Sequence, residues 1–212
     1  MRIIAHRGFW KTLKEKNSMK SILDAIKHGY GFETDLRDYK EKLVVSHNIA
    51  DASSPEAESV FAALKDKQGQ GIVFAINIKS DGLIELIKEQ IVKYGIKDYF
   101  VFDMSIPQTL EYKDANITYF TRQSEYENTP VLYNEASGVW VDGFQSTDWI
   151  TEELIQKHID NGKKVCIVSP ELHQNDNYKE FWSKLRKMNI DFGSLYLCTD
   201  YPDEAEVFFN GK

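Results

Sequence analysis

Gly71-Ile72-Val73-Phe74-Ala75-Ile76-Asn77-Ile78 reads as a β-strand buried on both faces. Its apolar residues run continuously, without the in-and-out alternation of a sheet that wets one side. That pattern belongs to a parallel sheet covered by helices. Working outward, short β-branched runs alternate with helix-like segments in both directions. Toward the N-terminus, 42–46 is an extended excursion beyond a strand at 31–35, and 3–5 is the first strand. Between them lies a helix over 19–28, opened by Asn17-Ser18 and ended by Gly29. Ser53-Ser54-Pro55 opens a helix reaching about Lys67. Toward the C-terminus, helices are expected at 81–94, 107–112, 151–161, 177–188 and 203–209. Strands are expected at 99–102, 117–120, 138–141, 164–168 and 193–197, and 121–128 is a polar segment. This makes about eight βα units, the number that closes a parallel barrel. No linker composition interrupts them. The expected fold is therefore α/β, a single (β/α)8 TIM barrel over 1–212, rather than an open doubly wound sheet.

Bulk properties narrow the function. The 212 residues are 42% apolar and 28% charged, with a net charge of −7, an ordinary globular composition. No long basic run is present, which argues against nucleic acid or an anionic membrane as partner. Cys166 and Cys198 fall inside apolar, strand-like runs and read as buried reduced thiols. The chain opens without an apolar leader segment, and no stretch approaches the ~18 apolar residues of a membrane span. A soluble cytoplasmic protein is expected.

In a (β/α)8 barrel the chemistry sits at the carboxyl ends of the strands. Those positions carry His6 and Arg7, Glu33 and Asp35, Asn77 and Lys79, and Asp103. Further along they carry Arg122, Asp142, Ser169, Glu171, His173, Thr199 and Asp200. Glu33 and Asp35 stand two apart, so strand alternation turns both carboxylates to one face. Such a pair can hold Mg²⁺ or Ca²⁺. His6 and His47 titrate near neutrality and can divide the roles of general base and general acid. Arg7, Lys79 and Arg122 supply positive charge, and a guanidinium matches phosphate oxygens bidentately. Glu171 joins Arg7, Lys79 and Arg122 as a substrate-contact candidate. His28 ends a helix and serves its dipole. His158 is mid-helix and is expected at the surface.

With these residues in view, the chain resembles the glycerophosphodiester phosphodiesterase family. The resemblance rests on His6-Arg7-Gly8, on Glu33-Thr34-Asp35, on Val44-Val45-Ser46-His47-Asn48, on Asn77-Ile78-Lys79 and on Thr199-Asp200-Tyr201-Pro202. A Glu-Asn pair before the first helix is matched only in part, by Lys16-Asn17. The specific match lies in the N-terminal third, and from about residue 98 to 171 only the βα rhythm agrees. The resemblance implies a TIM barrel, catalytic His6 and His47, and phosphate contacts from Arg7 and Lys79. It also implies a divalent cation on Glu33, Asp35 and the position of Asn77, and a small phosphodiester as substrate. The sequence departs from the family at Asn77, where the family has a third carboxylate, and at Asn48, where it has Asp. The insertion that usually follows the second histidine is reduced to 49–54. The neutral Asn77 predicts a weakened cation site.

Three readings follow from these residues. The first is metal-assisted hydrolysis of a small phosphodiester. The second is a barrel that binds a phosphate ligand with weakened or lost catalysis. The third, ranked last because it leaves the histidines unexplained, makes Lys79 a Schiff-base nucleophile.

Overall fold

A computed structural model describes residues 1–67 and 69–211. The chain divides into two compact units, one of residues 4–119 and one of residues 1–3 with 120–212. Strand β1 (Arg2–Ala5) contributes to both.

In the 4–119 unit, β1 is followed by α1 (Met19–His28), β2 (Gly31–Tyr39), β3 (Lys42–Val45) and α2 (Glu58–Leu64). Then come β4 (Phe74–Ile78), α3 (Ile84–Tyr94), β5 (Tyr99–Phe102) and α4 (Ile106–Asp114). The parallel order is β5-β4-β2-β1, with β3 antiparallel on the far end of β2. Every residue of β4 is buried, as its unbroken apolar run requires. Phe74 of β4 packs 4.9 Å from Phe32 and 5.3 Å from Phe61, ring centre to ring centre. Helix α1 has the expected ends: Ser18 accepts the Ser21 N–H, and Gly29 closes the helix at φ 78°.

Several elements differ from their expected bounds, and local chemistry accounts for three of them. Strand β2 continues past Asp35 to Tyr39 because Lys40 and Glu41, both left-handed (φ 49° and 65°), turn the chain back as a hairpin into β3. Helix α2 starts at Glu58 and not at Ser53. The Ser53 N–H and hydroxyl both donate to Asp51 Oδ1, at 2.8 and 2.6 Å. That Asx turn competes with helix, and Pro55 C=O then accepts the Val45 N–H at 2.8 Å, prolonging the extended pairing with β3. The strand expected at 117–120 instead begins at Phe120. Thr118 C=O accepts the Val101 N–H and the Ile117 N–H donates to Tyr112 C=O, which commits that segment to closing α4 and bridging to β5.

The other unit holds β6 (Phe120–Ser124), β7 (Gly138–Asp142), α5 (Glu152–Asp160), β8 (Lys164–Val168), α6 (Tyr178–Arg186), β9 (Leu195–Thr199) and α7 (Pro202–Asn210). Its parallel order is β9-β8-β7-β6, with the opening residues of β1 beside β9. One core joins Val139, Val141, Val165, Ile167 and Leu197 from the strands to Ile155, Trp182 and Ala205 from the helices. Cys166 and Cys198 are buried free thiols, as expected. His158 corrects its surface assignment. It is 3% exposed, with Nε2 2.8 Å from Gln123 Oε1 and Nδ1 2.9 Å from Tyr133 Oη. Because the Gln123 carbonyl can only accept, Nε2 carries the proton and Nδ1 accepts from the tyrosine. Burial pushes this imidazole down to about 4, so it is a neutral structural link.

Eight parallel strands in βα succession make this an α/β protein of the (β/α)8 TIM-barrel class. Among the described residues, the connection between the neighbouring parallel strands β6 and β7 carries no helix. No helix among the described residues is long and apolar enough to cross a membrane.

One turn positions His6 and Arg7. Directly after β1, Arg7 and Gly8 are both left-handed, at φ 57° and 84°. A Cβ on Gly8 would stand 2.6–2.8 Å from the Ser21 hydroxyl and from the Ser21 and Ile22 backbone. Backbone atoms of a helix cannot step aside as a flexible side chain does. Gly8→Ala is therefore expected to cost ~2–4 kcal/mol, the sum of overpacking and a positive φ. Urea denaturation measures this, and a loss under ~1 kcal/mol would show that the turn gives way freely.

Candidate active site

The site is built on β2. Glu33 and Asp35 are 1% and 0% exposed and, two apart, share a face. The register pairs Ala5 with Phe32 and Asp35 with Asn77. It therefore brings the turn after β1 beside Glu33, and Asn77 opposite Asp35. His6 Nε2 lies 3.9 Å from Glu33 Oε2, and the Arg7 N–H donates to the same oxygen at 3.0 Å. The backbone that carries His6 is held by Trp10, whose indole N–H donates to His6 C=O at 3.0 Å.

Asp35 is the centre of charge. Arg7 Nε stands 3.1 Å from Oδ2, and Lys79 Nζ stands 3.3 Å from Oδ1 and 3.9 Å from Asp103 Oδ2. Lys79 is placed by its own N–H, which donates to Leu36 C=O at 3.0 Å. These contacts are ion pairs by distance but are off hydrogen-bond alignment. Arg7 Nε, Asp35 Oδ1 and Asn77 Oδ1 are buried atoms without an aligned partner. Buried polar atoms are normally satisfied, so three such atoms on facing residues make this a candidate ligand site.

Asn17 is the residue whose part the sequence reading missed. It was read as a helix opener, yet its Nδ2 donates to Asp35 Oδ2 at 2.7 Å and its Oδ1 accepts from Thr34 Oγ1 at 2.6 Å. Its N–H donates to Arg7 C=O at 2.9 Å. The backbone is left-handed at φ 60°, a conformation Asn tolerates better than most residues. An Asn just before a helix cap that does not itself cap was the available signal. Asp103 is left-handed too, at φ 70°. Three site residues outside glycine with positive φ, Arg7, Asn17 and Asp103, are the kind of backbone strain that collects where side chains must be aimed.

The remaining expected site residues fall as follows. His47 is exposed on the loop after β3, its Nδ1 3.0 Å from Asn48 Oδ1. Its neighbour Ser46 is anchored to β2 by an N–H donated to Asp35 C=O at 3.0 Å. Arg122 and Glu171 belong to the other unit. Arg122 is inside β6 and pairs bidentately with Glu127. Glu171 accepts from the Ser169 hydroxyl, from Thr199 Oγ1 at 2.5 Å and from the Asp200 N–H at 3.1 Å. Burial raises its pKa above the ordinary carboxylate value. In the same unit His173 Nε2 lies 2.6 Å from Asp142 Oδ1, and that hydrogen bond raises the imidazole pKa. His28, at the end of α1, has Nδ1 2.7 Å from Asp24 C=O and packs edge-on to Phe9.

Burial, and then the neighbouring Asp35 charge, push Glu33 up to about 8 against the pull of Arg7 and Lys79. A raised carboxyl pKa means that the folded protein keeps a proton which the unfolded chain sheds near 4.5. Stability is therefore greatest below that value and declines as pH rises toward 8. Glu33→Gln should remove that decline, with a gain on the order of a few kcal/mol at pH 9 and little change at pH 4. Urea midpoints at the two pH values test this, and parallel wild-type and variant profiles would refute it.

The donor set is a poor fit to a divalent cation. Such an ion needs several ionised oxygens aimed at one point. Here both Asp35 oxygens already carry a cationic side chain, and Oδ2 carries the Asn17 amide as well. Among the described residues, no group of three or more His, Cys, Asp or Glu is placed to hold a metal.

No protein-family model and no curated protein matches the chain. Solved structures do. A glycerophosphodiester phosphodiesterase from Parabacteroides distasonis superposes with a TM-score of 0.70 at 17% identity, over 99% of this chain and 97% of that one. A putative glycerophosphoryl diester phosphodiesterase from Silicibacter pomeroyi gives 0.74 at 12% identity, over 100% and 93%. A Ca²⁺-dependent phosphatidylinositol-specific phospholipase C from Streptomyces antibioticus gives 0.60 at 12% identity, over 98% and 95%. At such identities the likeness shows a shared fold. The similar structures include several phosphodiesterases.

Proposed function

We propose that this protein hydrolyses a small phosphodiester, of the glycerophosphodiester kind that the similar structures' names describe. The observation that carries the reading is the meeting of Arg7 and Lys79 on Asp35, with His6 beside Glu33, at the carboxyl ends of β1, β2 and β4. Arg7 and Lys79 keep about a fifth of their side-chain surface open, at 23% and 20%, so donors remain for phosphate oxygens. Charge grows on those oxygens as a nucleophile adds to phosphorus, and fixed cations stabilise it more than they stabilise the ground state.

The proton steps balance with two groups. One imidazole takes the proton of the attacking hydroxyl, from water or from the substrate's own alcohol, as the P–O bond forms. The other gives a proton to the departing alkoxide oxygen as the second P–O bond breaks. His6 and His47 are assigned these roles. Asp35 and Asn17 act through Arg7 and Lys79, setting where the cations stand. Glu33, holding the Arg7 N–H, orients the turn that carries His6.

Purified protein should release nitrophenol from bis(p-nitrophenyl) phosphate and the alcohol from one or more members of a glycerophosphodiester panel. Ligand-induced thermal stabilisation without turnover across the panel would instead make the protein a phosphate-ligand binder. No turnover and no stabilisation would sink the phosphodiester reading altogether.

A further inference from the structure

The position opposite Asp35 in the β2–β4 register is Asn77, a neutral amide whose buried Oδ1 has no aligned partner. The two cations that reach Asp35 come from different elements: Arg7 from the turn after β1, Lys79 from just past the end of β4. They take one carboxylate oxygen each, and Lys79 is shared with Asp103. Resting on the phosphodiester reading, we infer that Lys79 is the resident cation of this site. In this inference its ammonium and the Arg7 guanidinium supply all the positive charge that meets the phosphate, with no divalent ion taking part.

Three observations carry the inference. The first is occupancy: an ion seated on Asp35 would have to displace an ammonium 3.3 Å from Oδ1 or a guanidinium and an amide on Oδ2. The second is charge. Asp35 brings one negative charge and faces two cationic side chains, and the position across from it adds none. A third carboxylate at Asn77 would supply the charge needed to hold a divalent ion beside Lys79. The third is mobility of the charge. Lys79 is one residue beyond β4, on a long flexible stem, and it divides its contacts between two acids at 3.3 and 3.9 Å. An ammonium held in that way can lean from Asp35 toward an arriving phosphate oxygen, while Asp103 keeps it in place. Asn77, with one unmet acceptor next to Lys79's partner, is then the residue that sets the site's independence of metal, and its amide is available to a substrate hydroxyl.

Calorimetric titration with Ca²⁺ and with Mn²⁺ decides the matter directly, in wild type, Asn77→Glu and Asp35→Asn. Wild type is expected to show no stoichiometric binding, and Asn77→Glu to gain one site per chain, at least tenfold tighter than any wild-type signal. Lys79→Met, which empties the same oxygen without adding a carboxylate, is a second route to the same gain should Asn77→Glu fail to fold. One tight equivalent bound by wild type and lost in Asp35→Asn overturns the inference. Binding that survives Asp35→Asn does not use the carboxylate that Arg7 and Lys79 share and leaves the inference standing. In the activity assay, turnover unchanged by excess EDTA supports the inference, while turnover abolished by EDTA and restored by a cation overturns it and keeps the phosphodiesterase. Absence of turnover under every condition removes the phosphodiesterase reading instead, and the titration still decides what the site holds.

Discussion

Asp35→Ala is expected to lower stability by ~2–4 kcal/mol and to abolish turnover. Removing one partner of a buried ion pair leaves the other charge desolvated and unpaired, typically at a cost of about 3–5 kcal/mol. Here the single 0%-exposed carboxylate answers Arg7, Lys79 and the Asn17 amide together. The expectation is set below the full range because Arg7 and Lys79 are partly open to water and can rehydrate. Asp35→Asn keeps the shape and a carbonyl for Asn17 but loses the charge, so it should recover part of the stability and little of the activity. Denaturation midpoints and phosphodiester turnover measured on both variants test the account. A loss under ~1 kcal/mol in Asp35→Ala would show that the cations are held by something other than this carboxylate.

The second large effect is expected at His6. His6→Ala should reduce kcat/KM by ~10²–10⁴, the usual cost of losing one positioned acid or base, with KM nearly unchanged because the phosphate is held by Arg7 and Lys79. Folding should survive, since the imidazole sits 3.9 Å from Glu33, and the turn's backbone bonds from Trp10 and to Glu33 do not need it. Recovery of rate with added imidazole would separate a proton-transfer role from a packing one. A variant as active as wild type would remove His6 from the mechanism. His47 offers an informative contrast. It is exposed and its one described side-chain contact is to its neighbour Asn48, so His47→Ala should leave the urea midpoint unchanged whatever it does to turnover.

Much of the fold was legible because burial on both faces leaves a plain trace in composition. Residues 71–78 read as a central strand, and β4 occupies Phe74–Ile78 of that stretch with every residue buried. Helix α1 was legible from its two ends, Ser18 and Gly29. The misplaced boundaries share a cause: hydrogen bonds that propensity does not register. Asp51 held Ser53 out of α2, and the bond from Val101 to Thr118 delayed β6 to Phe120. That delay set Arg122 within a strand, against Glu127. His158 was readable in principle, because it follows the fully buried Ile155 by three residues and so shares its helix face.

For the candidate site, the sequence alone nominated His6, Arg7, Glu33, Asp35, Asn77 and Lys79. Strand alternation and the rule that chemistry gathers at strand carboxyl ends are local properties, readable one element at a time. What only the tertiary structure decided is which charge meets which. The register set Asn77 across from Asp35, Asn17 reached Asp35 across a sequence separation of 18, and Arg7 and Lys79 divided the two Asp35 oxygens between them. Those pairings depend on how separate segments come together in three dimensions and on how deeply they are buried. Burial is what raises Glu33 to about 8. A pair of carboxylates that reads in sequence as a cradle for a divalent ion becomes, once folded, one acid whose pKa burial raises and one carboxylate held between two cations.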